Sequence, residues 1–128
     1  MYPKKVAQDT AKILQSYLTF QAVRTIIDQL SETNPTEAIW LSQYSSTHKV
    51  QDSDTYLEGL MLDRKELVLR IMTVRQHLAE QVLEFIPEMV RTGIEQENLQ
   101  YRRQVLERLT QSQLSNSTSN SEENHSQE

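Results

Sequence analysis

The side chains that could do chemistry are few and scattered along the sequence. The three histidines, His48, His77 and His125, fall in different parts of the chain, and there is no cysteine. His77 and Glu80 are one helical turn apart, but metal sites in helical bundles use the opposite order, Glu-x-x-His. The sequence contains no Gly-rich phosphate loop and no zinc-ligand spacing. We therefore expect no catalytic residue, no metal and no cofactor, which leaves binding as the function class.

A binding surface is indicated by residues 15–35. Tyr17 and Phe20 lie one turn apart in a helical pattern, and polar side chains flank them. Aromatic rings bury a large area at a small entropic cost, while amides and carboxylates hydrogen-bond to a peptide backbone. The pattern is typical of a groove that holds an extended peptide. The flanking polar residues are Thr19, Gln21, Arg24, Thr25, Asp28, Gln29 and Glu32.

Composition predicts an all-α fold. Only 2 glycines and 3 prolines interrupt 128 residues, and residues with high helix propensity are plentiful. The net charge of -5 argues against a general nucleic-acid binder, which needs a dense basic face. The N-terminus lacks an apolar leader segment, and no run approaches the ~20 apolar residues of a membrane span. These features predict a cytoplasmic protein.

Apolar periodicity and capping residues predict three helices before residue 64. Helix one runs from about Pro3 or Lys4 to Ser31, with Leu14, Leu18, Ile26 and Leu30 facing a core. Helix two runs from Pro35 to about Tyr44, with Asn34 as N-cap and Glu37 completing a capping box. It carries Trp40, which we interpret as a packing anchor, the alternative being a partner contact. After a polar loop over residues 45–54, helix three covers Thr55 to about Leu62, capped by Ser53 or Asp54 and weakened by Gly59.

A long fourth helix is predicted to start at Arg64, with Asp63 as its N-cap, and to continue to about Leu109. Its apolar stripe stays in register beyond Pro87, which indicates one kinked helix. Such a helix would be about 65–70 Å long, whereas a compact domain of this size has a radius of gyration of about 14 Å. Three short partners cannot cover it, so we predict an antiparallel homodimer. Residues 111–128 are polar with one leucine, and we predict a disordered tail after a domain at residues 1–110.

Four stretches resemble the RbcX family of RuBisCO assembly chaperones. They are SYLTFQAVRT, QLSETNP, LRIMTVRQHL and FIPEMVRTGI, and the similarity spans roughly Tyr2 to Thr110. The resemblance implies an arc-shaped homodimer of four-helix subunits. It also implies a central groove that captures the C-terminal segment of the folded RuBisCO large subunit. On this view the chaperone stabilises large-subunit dimers, assists assembly of the octameric core and leaves when small subunits bind, with carboxysomes as one location.

The resemblance also implies which residues meet the client. The groove residues by position are Tyr17, Phe20, Gln29, Glu32, Thr33 and Asn34. The polar rim that contacts folded large subunits comprises Arg70, Gln81, Arg91, Arg102 and Arg103. A solvated helix face is the alternative interpretation of these arginines, because exposed ion pairs contribute only about 0–1 kcal/mol.

Phe20 departs from the family, which often has tyrosine at this position. The missing hydroxyl removes one hydrogen bond, worth about 0.5–1.5 kcal/mol, so we expect client binding that is weaker or tuned to a different tail. The alternative function is a non-catalytic helical scaffolding dimer without a peptide groove. A helical DNA-binding regulator is disfavoured by the acidic composition.

Overall fold

The computed structural model describes residues 2–48 and 52–125, with side chains through residue 117. The described residues form helices joined by short connections, which confirms the all-α fold class. The helices are α1 (Tyr2–Thr33), α2 (Pro35–Thr47), α3 (Ser53–Asp63), α4 (Lys65–Val82) and α5 (Ile86–His125). The predicted first helix is therefore extended by one or two residues at each end, and α2 continues three residues into the predicted loop. Of the predicted loop, residues 49–51 lie outside the described residues, and Ser53 and Asp54 belong to α3.

The core is built on the C-terminal half of α1. Its buried side chains recur at three- and four-residue steps and are Leu18, Thr19, Ala22, Val23, Ile26 and Leu30. Three of the four predicted core positions are buried, and Leu14 is half-buried. The stripe packs against Leu41 of α2, Leu60 of α3 and Ile71 of α4, all fully buried. Burying one such side chain contributes about 1.5–3 kcal/mol. Because α2, α3 and α4 all pack on this stripe, α1 is the element on which they assemble.

Asn34 is the N-cap of α2, as the sequence predicts, but the predicted capping box is altered, because the Asn34 backbone N–H donates to the Leu30 carbonyl at 2.7 Å. The Asn34 carboxamide oxygen accepts from the Glu37 backbone N–H at 3.4 Å, and its amide donates to the Glu37 carboxylate at 3.1 Å. Pro35 occupies the first turn, where its missing N–H costs nothing. Trp40 is half-buried against the core, with the Arg64 guanidinium 4.6 Å from its ring centroid. These contacts confirm that Trp40 is a packing anchor.

The predicted cap of α3 was wrong by one or two residues, and that of α4 by one. Asp52 caps α3, accepting from the Thr55 backbone N–H at 3.3 Å and from its hydroxyl at 2.8 Å. Neither Ser53 nor Asp54 takes this role, because both already lie inside the helix. Asp63 is the last residue of α3, so Arg64 is the N-cap of α4 and makes no side-chain capping bond.

The predicted long fourth helix is divided at residues 83–85, which form a turn between α4 and α5. Pro87 lies in the first turn of α5, where a proline is tolerated. Its ring would clash with the carbonyl four residues earlier, that of Leu83, and it has no N–H to bond that carbonyl. The interruption therefore comes before the proline, and the predicted kink is a break between two helices.

The chain divides into two compact units at this break, one through Glu84 and one from Phe85. In the second unit none of the side chains described in α5 is buried. The helix also continues through residues 111–125, where composition predicts disorder. The division into a domain at 1–110 and a disordered tail at 111–128 stays a prediction.

Candidate functional site

One turn of α1 presents two aromatic rings while its neighbouring residues are buried. Tyr17 is 57% exposed and Phe20 is 41% exposed, whereas Leu18 and Thr19 between them are buried. The Arg24 guanidinium lies 5.8 Å from the Phe20 ring centroid, one turn further along the helix. Because the buried neighbours fix this turn on the core, both rings are held in place where another molecule can contact them. This arrangement suits apolar or aromatic side chains of a ligand.

Gln29 lies further along α1, at the boundary with α4. Its carboxamide Oε1 accepts a hydrogen bond of 2.6 Å from Nη2 of Arg70. Its backbone carbonyl also accepts from the Thr33 hydroxyl at 3.0 Å. Gln29 is exposed and Arg70 is half-buried, so the pair forms the edge of the surface where α1 meets α4.

The end of α1 carries the remaining predicted groove residues, and they are not equivalent. The Thr33 hydroxyl is bonded to the helix backbone and the Asn34 side chain caps α2, so both have local structural roles. Glu32 is exposed and adds a negative charge one turn after Asp28. The free surface near the end of α1 is therefore acidic, while Arg70 supplies the cation on the α4 side.

The predicted rim residues other than Arg70 are spread over α4 and α5. Gln81 Nε2 lies 3.2 Å from Nε2 of His77, one turn earlier in α4. Arg91 pairs with Glu88 at 3.4 Å, with side chains 69% and 71% exposed, a pairing expected to contribute little to stability. Arg102 and Arg103 are exposed on α5, beside Leu99 and Leu106.

The second unit presents many apolar side chains in addition to these arginines. More than half of the area of each remains exposed in the single chain, along much of α5. They are Met89, Val90, Ile94, Leu99, Tyr101, Val105, Leu106, Leu109 and Leu114. Apolar exposure of this extent is typical of an interaction surface.

Outside the α1 surface, two buried tyrosines have shifted pKa values. Burial raises the pKa of Tyr56, and a hydrogen bond with the Ser45 hydroxyl at 2.8 Å partly opposes this. Burial also raises the pKa of Tyr44, and the charge of Asp63 adds to the effect.

In the part of the chain that the structure describes, no three His, Cys, Asp or Glu side chains are grouped to hold a metal ion. Within the same residues, no helix is long and apolar enough to cross a bilayer.

An all-helical protein with an exposed aromatic and polar face on its central helix belongs to the class of helical binding proteins. A family model described as RbcX protein matches residues 1–111. The chain belongs to the RbcX family.

Relatives and solved structures support this assignment over most of the chain. A protein of Picosynechococcus sp. named RuBisCO chaperone RbcX is 65% identical over 108 residues, covering 84% of this chain and 81% of the relative. A protein of the same name from Anabaena sp. is 57% identical over 120 residues, covering 94% and 88%. The chain is also similar to a crystal structure described as RbcX in complex with substrate, with a TM-score of 0.80 and 64% identity, covering 86% of this chain and 99% of that one.

Sequence reasoning found the exposed aromatic pair but missed the pairing of Gln29 with Arg70. It assigned these residues to a groove and to a separate rim, whereas their side chains are in direct contact. The two positions are 41 residues apart, and no local pattern links them. Antiparallel packing of α1 on α4, inferred from their complementary apolar stripes, was the signal that could have placed them together.

Proposed function

We propose that this protein is a RuBisCO assembly chaperone, which binds the C-terminal segment of the folded large subunit and stabilises large-subunit dimers during assembly of the octameric core. The observation that carries the proposal is the exposure of Tyr17 and Phe20 on a turn of α1 that is otherwise buried. Two relatives named as RuBisCO chaperones, 65% and 57% identical, support the same function. The protein acts by binding alone and needs no cofactor.

The active form that we propose is an antiparallel homodimer. The exposed apolar side chains of α5 supply the physical reason, because leaving them in water forgoes about 25 cal/mol for each Å² of apolar surface. A second copy offers the same surface in a self-complementary arrangement, as two-fold symmetry requires. In this dimer the two α1 helices border one groove, so each half-site is completed by the partner.

Within the groove, Tyr17 and Phe20 would receive apolar or aromatic client side chains. Gln29 would bond to the client backbone, and Glu32, Thr33 and Asn34 would border the end of the site. The rim positions Arg70, Gln81, Arg91, Arg102 and Arg103 would contact the folded body of the large subunit. Their scatter over two helices suits a broad, weak contact with a folded surface.

Release follows from modest affinity. Ordering a flexible tail offsets part of the interaction energy, typically about 2–5 kcal/mol or more. A groove with a few aromatic contacts is therefore expected to bind in the micromolar range, and small subunits that compete for the complex would displace the chaperone without a nucleotide. We place this cycle in the cytoplasm, with carboxysomes as the site of the assembled enzyme.

The direct test is calorimetric titration of the full chain with a peptide that copies the C-terminal tail of the large subunit from the same organism. We expect saturable binding at one peptide per dimer. Gln29→Ala should abolish or strongly weaken binding without loss of helicity, while Gln43→Ala on α2 is the matched control and should bind normally.

A scaffolding dimer without a groove would give a different result. It would remain dimeric by light scattering and release no heat with the peptide. That outcome would reject the chaperone proposal, whereas a monomer at high concentration would reject the proposed homodimer.

A further inference from the structure

The hydrogen bond between Gln29 and Arg70 has a defined direction. A guanidinium has only N–H donors, so the amide atom 2.6 Å from Arg70 Nη2 must be the carboxamide oxygen. Arg70 occupies one of the two lone pairs of this oxygen, so the polar group of the Gln29 side chain that stays fully available to a ligand is its NH₂, which can only donate. A glutamine without such a neighbour can turn either its oxygen or its nitrogen towards a ligand.

The backbone around Gln29 leaves the side chain as the group that a ligand would meet. The Gln29 carbonyl already accepts from the Thr33 hydroxyl at 3.0 Å. Arg70 approaches from α4 and is half-buried, where Leu67 and Ile71 anchor its helix to α1. The guanidinium is therefore held by a packed helix, and it can restrict the carboxamide to one orientation.

We propose that Arg70 is a positioning residue that fixes Gln29 as a hydrogen-bond donor, so that this point of the groove selects a carbonyl or carboxylate oxygen of the client and disfavours an N–H group. The inference rests on the proposed function and deepens it. It gives Arg70 a role inside the groove, acting through Gln29, that differs from contact with the folded client body. It predicts that binding to a short tail depends on a residue that the tail does not touch.

The closing experiment uses the full chain and a short synthetic peptide of the large-subunit tail, which lacks the folded body. Arg70→Met removes the donor but keeps an unbranched apolar stem, and Arg70→Lys restores a donor. We expect Arg70→Met to weaken peptide binding about three- to ten-fold, the effect of one hydrogen bond. Arg70→Lys should retain most of the wild-type affinity.

Combining Arg70→Met with Gln29→Ala distinguishes positioning from a separate contact. If Arg70 acts through Gln29, adding Arg70→Met to Gln29→Ala changes the residual affinity little. An equal loss in both backgrounds, or wild-type peptide affinity for Arg70→Met alone, would overturn the inference. Where Gln29→Ala leaves no measurable binding, Gln29→Met supplies the second background, because it keeps the volume of the side chain and removes both the amide donor and the oxygen that accepts from Arg70.

A second measurement needs no client. In ¹⁵N–¹H spectra of the wild-type protein, the Gln29 side-chain amide should show restricted motion, and Arg70→Met should shift its signals and increase their mobility. An amide that is equally mobile with and without Arg70 would reject the positioning role. If the amide is restricted but the protein does not bind the tail peptide, the hydrogen bond is supported. The proposed client, and the selection of an oxygen atom that rests on it, are then both rejected.

Discussion

Arg75 donates from Nη1 to the hydroxyl of Thr19 over 3.1 Å, and Thr19 has no exposed surface. The same hydroxyl donates to the backbone carbonyl of Gln15 at 2.8 Å, so it is satisfied in both directions. The Gln29–Arg70 hydrogen bond is a second contact between α1 and α4. The later residue of α4 bonds to the earlier residue of α1, so the two helices run antiparallel. The two arginines therefore fix the antiparallel register of the surface that carries Tyr17 and Phe20.

The first prediction concerns this buried hydroxyl. Thr19→Val and Arg75→Met should be coupled by about 0.5–1.5 kcal/mol, because either change removes the same hydrogen bond. Denaturant unfolding of the two single variants and the double variant, at one protein concentration, measures the coupling. Thr25→Val is the control, since the Thr25 hydroxyl bonds only within α1, to the Gln21 carbonyl. Additive effects of Thr19→Val and Arg75→Met would contradict the assignment.

The second prediction concerns Gly59 in α3. A Cβ at this position would lie 2.5 Å from the hydroxyl oxygen of Tyr44. The Tyr44 ring is buried and stacks on Trp40 and His48, so it cannot easily move away. Gly59→Ala should therefore lose the gain of about 0.8–1 kcal/mol that alanine normally brings to a helix interior. In a Tyr44→Phe background the nearest atom is the ring carbon at 3.8 Å, and the gain should return. A stabilising Gly59→Ala in the wild-type background would refute the steric argument.

The third prediction concerns alkaline stability. Burial raises the pKa of Tyr56 above its ordinary value, so the folded state holds the phenol proton more tightly than the unfolded state does. This stability is fully present below the unfolded pKa of about 10 and is lost as the pH rises through the folded pKa. Tyr56→Phe should lose stability less steeply above pH ~10, although it forgoes the Ser45 bond at neutral pH. Thermal melts of the wild-type protein and Tyr56→Phe at pH values on both sides of ~10 test this difference in slope. Tyr2→Phe, at an exposed tyrosine, is the control.

Local patterns account for the parts of the fold that sequence reasoning predicted. The periodic apolar residues of α1 and the Asn34 cap depend on neighbours within a few positions, and both were found. The α3 cap was missed because Asp52, Ser53 and Asp54 are all good capping residues, and only packing selects among them.

Contacts between distant residues account for most of the rest. Sequence reasoning treated Gly59 as a weak point in a helix, whereas the residue makes room for the Tyr44 hydroxyl. Gln29 and Arg70 were each named as binding residues, yet their contact required the packing of α1 on α4. Sequence reasoning could thus name candidate site residues individually, but it could not place Gln29 and Arg70 in contact.

The fourth prediction concerns residues 111–128. Deleting them should leave the melting temperature unchanged, because this polar segment buries too little apolar surface to offset the entropy of ordering. Amides from residue 111 onward should exchange with solvent within the shortest time measured. Slow exchange across residues 111–125, together with a lower melting temperature after deletion, would favour the helix over the predicted disorder.

The fifth prediction concerns Phe20, where tyrosine is often found in the family. The ring is 41% exposed, so a hydroxyl added by Phe20→Tyr would extend from a side chain that a client can already reach. One added hydrogen bond is worth about 0.5–1.5 kcal/mol, and peptide affinity measured by calorimetry should rise about two- to ten-fold. Tyr17→Phe makes the opposite change on the same turn and should weaken binding if its hydroxyl also contacts the client. Unchanged affinity for Phe20→Tyr would mean that the groove recognises the ring alone, and that phenylalanine here has no cost for binding.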